Sequence, residues 1–132
     1  MADATDIHGT AFKNGSATLL ARVVGHDAQP VVQADIASAS YSLYLLDDDD
    51  ADSRTAVAGH TDAALTVSEL IFNSLQTDDL WRADAVGYNF RHVLDVSQHQ
   101  AFAVAGRRYL LEFRLMPAAG QVILVRFRLN AI

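Results

Sequence analysis

The stretch RRYLLEFRLMPAAGQVILVRFRLN, residues 107–130, decides the fold that this sequence predicts. It contains two runs in which apolar and polar residues alternate, separated by a short turn sequence. Alternation with a period of two is typical of a β-strand with one buried face. The apolar residues of both runs are odd-numbered: Tyr109, Leu111, Phe113 and Leu115, then Ile123, Val125, Phe127 and Leu129. The stretch therefore predicts an antiparallel hairpin.

The register of this hairpin follows from the parity of its apolar residues. The two apolar sets share a face only if paired residue numbers sum to an even number, because a one-residue slip turns every side chain over. A three-residue loop, Ala118-Ala119-Gly120, gives an even sum, and Gly120 stands where a positive φ is needed. The predicted pairs are Leu115–Ile123, Phe113–Val125, Leu111–Phe127 and Tyr109–Leu129, with Glu112 opposite Arg126 and Pro117 opposite Gln121.

Three apolar residues near the turn, Met116, Val122 and Leu124, fall on the opposite face of the hairpin. Either another part of the same domain covers them, or they form a surface for a partner. The only tryptophan, Trp81, lies in a polar loop predicted at residues 76–87. A lone loop tryptophan caps a core, fills an interface or stacks on a sugar. These four residues are the candidate interface of the protein.

The rest of the chain predicts several short strands and one minor helix. Strands are expected at residues 10–12, 17–24, 37–46, 56–58 and 88–96. The pair Asn14-Gly15 favours a type I′ hairpin between the first two strands. Residues 65–75 predict a helix, with Thr66 and Glu69 spaced as a capping box.

These elements predict a mainly β fold, an Ig-like antiparallel β-sandwich with one short helix. Antiparallel pairing is expected because the connections are too short for helical crossovers. Residues 1–9 are polar and small and predict a flexible N-terminal arm. Residues 10–132 predict a single β-sandwich domain.

Composition excludes several classes of function. Among 132 residues there is no cysteine, so neither a disulfide nor a thiolate metal site can form. The formal net charge of −6 argues against binding to nucleic acid or to anionic membranes. No apolar run reaches the roughly 18 residues of a membrane span. Residues 1–8 lack the basic and apolar regions of a signal peptide.

No pattern of catalytic or metal-binding residues is evident. The five histidines lack the spacing of a helical or strand-borne metal pair. Asp48, Asp50 and Asp52 resemble the start of a calcium loop, but Ser53 and Gly59 stand where its glycine and bidentate glutamate belong. No nucleophile elbow, P-loop or dinucleotide fingerprint is present. The expectation is a protein that is not an enzyme and that has no metal or cofactor.

Three segments carry a resemblance to a known group of proteins. They are residues 75–81, residues 87–92 and residues 107–130. Together they resemble a family of small Ig-like β-sandwich proteins from bacterial genomes and phage-like structural gene clusters, over roughly residues 30–132. Such modules serve as head-decoration, connector or tail proteins. The resemblance implies a location in a virion, or in the cytoplasm of a host bacterium during assembly.

Two hypotheses for the function remain. The first is a structural assembly protein of a virion or phage-like particle, with other particle proteins and further copies of itself as partners. The alternative is a non-catalytic carbohydrate-binding module that uses Trp81, Tyr88 and nearby aspartates. A sandwich fold hosts many functions, so the fold does not choose between the two.

Overall fold

The computed structural model describes residues 7–25, 28–47, 53–81 and 84–132. Most of the regular structure in these residues is β-strand. One short helix, α1, spans Val67–Leu70, and a single 3-10 turn spans Gln33–Asp35. The strands are β1 (Ile7–Ala11), β2 (Thr18–Ala21), β3 (Ile36–Leu46), β4 (Arg54–Ala56), β5 (Ala63–Leu65), β6 (Ile71–Gln76), β7 (Tyr88–Val93), β8 (Arg108–Pro117) and β9 (Ile123–Ala131).

The strands form two sheets, and this confirms the predicted β-sandwich. The larger sheet has the order β1-β9-β8-β3-β4, with β5 also paired to β3. The smaller sheet has the order β2-β7-β6. In an immunoglobulin-type sandwich, strands B, E and D lie in one sheet and strands G, F and C lie in the other. Here β2, β7 and β6 take the positions of B, E and D, and β9, β8 and β3 take those of G, F and C. No helix in the described residues is long and apolar enough to cross a membrane.

The closing hairpin has the register that parity predicts. Strands β8 and β9 pair Tyr109 with Leu129 and continue without a shift to Leu115 and Ile123. Gly120 has a φ of +104°, as the turn requires. The ladder between the two strands ends at Leu115 and Ile123, so the predicted opposition of Pro117 and Gln121 lies beyond its last pair. On its other edge, β8 continues to Pro117, which pairs with Ile36 of β3.

The core lies where the inward side chains of the two sheets meet. Phe113 of β8 contacts Phe90 of β7 edge to face, with 4.8 Å between ring centroids. Phe127 of β9 completes the cluster at 5.8 Å from Phe113. Phe90 and Phe113 have no exposed surface. Edge-to-face pairs of this kind add about 1 kcal/mol to the free energy of burial.

A tyrosine fixes the connection that leads into β8. The Tyr109 hydroxyl accepts a hydrogen bond from the backbone N–H of Val104 at 3.1 Å. Immunoglobulin domains use a tyrosine at this corner, two residues before the second cysteine of their disulfide. The corresponding residue here is Leu111, which is fully buried. Apolar packing therefore occupies a position that a disulfide takes in antibody domains.

The N-terminal part of the chain differs from the prediction in three ways. Strand β1 begins at Ile7, so the predicted arm of residues 1–9 is too long, and residues 1–6 lie outside the described residues. β1 pairs with β9 in parallel, not antiparallel. β1 and β2 belong to different sheets, so the hairpin predicted at Asn14-Gly15 is wrong. Of the two turn residues, Asn14 has a positive φ and Gly15 does not. The turn carries the chain from one sheet to the other.

The predicted helix at residues 65–75 is mostly strand. One helical turn, α1, is followed at once by β6, and the Thr66 side chain makes no capping hydrogen bond. The reason is tertiary: Ile71 pairs with Phe90 of β7 and is buried in the core. That burial outweighs the weak local preference of a short amphipathic segment.

Smaller differences concern the ends of strands. The strand predicted at residues 56–58 lies at Arg54–Ala56, and β7 ends at Val93 rather than at residue 96. Strand β3 lies close to its predicted span of residues 37–46, and Ala39, Tyr41 and Leu43 are buried. Residues 48–52, which include the aspartates that resemble the start of a calcium loop, lie outside the described residues.

The side chain of a buried asparagine extends the hydrogen bonding between β2 and β7 beyond Ala21 and Phe90, the last backbone pair of these two strands. Asn89 on β7 is 1% exposed. Its Oδ1 accepts the N–H of Val23 at 2.7 Å, and its Nδ2 donates to the carbonyl oxygens of Val23 and Val31, both at 2.9 Å. The side chain therefore satisfies three buried backbone groups, each costly to leave unpaired.

We expect Asn89→Ala to reduce the free energy of unfolding by about 3 kcal/mol, since it leaves the Val23 N–H and the Val31 carbonyl oxygen without a partner, while the Val23 carbonyl oxygen keeps its bond from the Val31 N–H. Urea unfolding followed by circular dichroism measures the change. Asn130→Ala is the matched control because Asn130 is exposed on β9, and its effect should stay within about 0.5 kcal/mol. Equal losses in the two variants would contradict the role given to Asn89.

Candidate interaction surfaces

The three apolar residues near the hairpin turn lie on the outward face of the larger sheet. Met116, Val122 and Leu124 are exposed by 42%, 40% and 42%. They point outward because the alternate residues of the same strands, Leu115 and Val125 among them, point into the core. No part of the described chain buries them. We call these three residues the turn patch, and their exposure favours the partner-surface interpretation.

Two arginines, Arg114 and Arg126, lie next to the turn patch on the same face. Leu124 pairs with Arg114 across the hairpin, and the next outward pair is Arg126 with Glu112. The Arg126 Nε lies 3.8 Å from a Glu112 carboxylate oxygen. We call the outward face the basic face, and its arginines are Arg54, Arg108, Arg114, Arg126 and Arg128.

One apolar residue of the basic face, Leu110, is buried. Leu110 is in register with Tyr44 on one side and Arg128 on the other. Although its parity points it outward, Leu110 is only 2% exposed. The guanidinium carbon of Arg54 lies 4.1 Å from the centroid of the Tyr44 ring. Leu110 is therefore buried between Tyr44 and Arg128, so the exposed apolar surface of this face is concentrated at the turn patch.

Trp81 lies apart from the turn patch, in the loop that joins β6 to β7. Its ring packs against Tyr88 with 5.6 Å between centroids, and its indole N–H donates to Asp84 at 2.9 Å. This hydrogen bond, with others from the Gly87 N–H and the Arg22 guanidinium, holds the pKa of Asp84 well below its usual range. The four candidate interface residues therefore form two separate surfaces.

These contacts favour an internal role for Trp81 over a role as a sugar-binding platform. The hydroxyl of Tyr88 donates to Asp78 at 2.6 Å, and Tyr88 itself is 1% exposed. The aromatic rings and carboxylates that the carbohydrate alternative requires thus bind one another and hold the loop in place. What remains exposed at the start of the loop is Asp79, followed by Leu80.

A cleft of about 470 Å³ separates the edges of the two sheets on the β1 side. Ile7 of β1 and Leu20 of β2 line it from the two sheets, and Trp81 also reaches it. Both strands are at the edges of their sheets. Both apolar and polar groups line the cleft, and the lining contains no cluster of titratable side chains.

A buried histidine that sequence analysis did not single out lies beside β3. His60 is 2% exposed, and its Nδ1 is 2.7 Å from the Tyr41 hydroxyl. Its Nε2 faces the carbonyl oxygen of His99 at 2.8 Å, so Nε2 carries the proton and Nδ1 accepts from Tyr41. Both nitrogens are satisfied internally, which describes a core histidine rather than a catalytic base. No local sequence pattern links a loop histidine to Tyr41.

The described residues contain no group of three or more His, Cys, Asp or Glu side chains arranged to hold a metal ion. Asp48, Asp50 and Asp52, the residues that resemble a calcium loop, lie outside them.

Comparisons of this chain with family models, with curated proteins and with solved structures gave no significant match.

The packing of His92 on β7 predicts a pH dependence of stability. His92 packs against Tyr41 and Phe113, and burial lowers its pKa. A lowered folded-state pKa means that the unfolded chain binds the proton more readily. The stability contribution of neutral His92 is therefore complete above about pH 6.5 and is lost as the pH falls toward the folded-state value.

We expect urea unfolding to show lower stability at about pH 5.5 than at about pH 7.5. His92→Phe should reduce this difference, because the aromatic contacts remain and the titrating group is gone. The exposed His8 provides the control, and His8→Phe should leave the pH dependence unchanged. An unchanged pH dependence in His92→Phe would show that another group causes it.

Proposed function

We propose that this protein is a structural assembly component that acts through protein–protein contacts and not through catalysis. The turn patch is the observation that carries the proposal. Met116, Val122 and Leu124 expose apolar surface close together, and Arg114, which pairs with Leu124, borders them. Methionine and arginine are enriched at protein interfaces, and an apolar centre with a polar rim is their usual arrangement.

The position of the turn patch supports this role. Strand β8 is held between β3 and β9. Its inward residues, including Leu111 and Phe113, have no exposed surface. A patch on such a strand keeps its shape when free, so binding it costs little conformational entropy. The buried His60 is satisfied internally, by the Tyr41 hydroxyl and the His99 carbonyl oxygen.

The resemblance to small Ig-like proteins of phage-like gene clusters supplies the setting. In that setting the protein is a decoration, connector or tail component of a virion or phage-like particle. Its partners are other structural proteins of the particle and further copies of itself. Repeated contacts through one rigid patch suit a symmetric assembly. The protein then resides in the particle, or in the host cytoplasm while the particle assembles.

The test is the recovery of the protein in particles purified from cells that produce it. We expect mass spectrometry to find it in a fixed ratio to the major particle protein and electron microscopy to locate it. The double substitution Met116→Gln/Leu124→Gln should reduce that ratio about tenfold or more, since it removes apolar contact surface without changing charge.

The matched control is Val93→Gln, which replaces an exposed apolar residue on the smaller sheet. Circular dichroism establishes that each variant is folded. Absence of the wild-type protein from every purified particle would overturn the proposal. So would recovery of the double variant at the wild-type ratio.

A further inference from the structure

The basic face differs in charge from the rest of the molecule. Among the described residues it carries five arginines and one carboxylate, Glu112. The other described residues have four basic and eight acidic side chains, a formal charge of −4. Asp62 lies at the margin of the face, where its carboxylate accepts from Ser42 at 3.3 Å. An acidic protein that gathers half of its basic residues on one sheet face is built to meet acidic surface there.

The loop between β6 and β7 presents the complementary combination. Residues 78–81 form a tight turn, in which the Trp81 N–H donates to the Asp78 carbonyl oxygen at 3.1 Å and the Leu80 N–H donates to the Asp78 carboxylate at 3.0 Å. Asp79 is exposed, and Leu80 is 55% exposed beside it. We call residues 78–81 the acidic turn. It presents carboxylate and apolar side chains together, as the turn patch and its arginines present guanidinium and apolar side chains together.

We propose that the partner of the basic face is a second copy of this chain, whose acidic turn docks on the turn patch and its neighbouring arginines. This inference rests on the proposed assembly function. Leu80 would contact Leu124 and Met116, and Asp79 would pair with Arg114. The acidic turn belongs to the loops of the smaller sheet, whereas the basic face lies outward on the larger one.

Electrostatics decides how the copies meet. Two basic faces repel each other, so the contact joins two different surfaces of the chain. Such a contact closes into a ring or a reciprocal dimer, or it continues as a filament. A nucleic acid is the less favoured occupant, because a chain of phosphates extending past the face would meet the other described residues, which carry a net negative formal charge.

Sedimentation velocity on the purified full-length protein tests the inference, at concentrations from about 1 µM to about 1 mM. We expect the wild type to associate at about 0.05 M sodium chloride and to dissociate at about 0.5 M, because salt screens the charge pairs. Arg114→Asp and Asp79→Arg should each weaken association about tenfold or more. Arg91→Asp, on the smaller sheet, should leave it unchanged.

A charge exchange separates this contact from a structural effect of the substitutions. An equimolar mixture of Arg114→Asp and Asp79→Arg should regain association, since each variant supplies the complement of the other. The chain that carries both substitutions should regain it as well. Failure of both to recover, or an equal loss in Arg91→Asp, would overturn the inference.

Two further outcomes also overturn it. The first is a wild type that stays monomeric throughout this range. If particle recovery then still depends on Met116 and Leu124, the assembly function stands and the partner is another protein. The second is tight binding of a fluorescent oligonucleotide that Arg114→Asp abolishes, which would assign the basic face to nucleic acid.

Discussion

The packing of β8 is the constraint on which the rest of the structure depends. This strand lies between β3 and β9, and its odd-numbered residues Tyr109, Leu111, Phe113 and Leu115 fill the centre of the core. Because side chains alternate, burying these four turns every even-numbered residue of the strand outward. Arg114 and Met116 are therefore on the outer face as a direct consequence of core packing. The same register places Leu124 and Arg126 of β9 beside them.

The sequence predicts this hairpin well because its register depends on local information alone. Two alternating runs and a glycine at the turn are enough, and Gly120 has the positive φ that the turn requires. The N-terminal strands depend on distant residues instead. Strand β1 pairs with β9 at the other end of the chain, and no local signal distinguishes that pairing from a hairpin at Asn14-Gly15. The helix over residues 65–75 fails for a related reason, since β7 recruits Ile71 into the core.

The candidate interaction surface could likewise be predicted from the sequence only in part. Parity alone places Met116, Val122 and Leu124 on an outward face, and their exposure agrees with that placement. Parity does not reveal that Leu110 is buried on this face, because Tyr44 and Arg128 come from two other strands. The concentration of arginines on one face is likewise invisible until strands β4, β8 and β9 lie in one sheet. A chain with a net charge of −6 argues against any basic surface when only its total is considered.

In the proposed assembly, the turn patch becomes covered when copies of the chain associate. Met116 is one of only two methionines in the sequence, so its labelled methyl group is a specific NMR probe at the centre of the patch. We predict that this resonance shifts and broadens as protein concentration rises at low salt and returns at high salt. A Met116 methyl resonance that stays unchanged while association proceeds would contradict the account, because association would then use another surface.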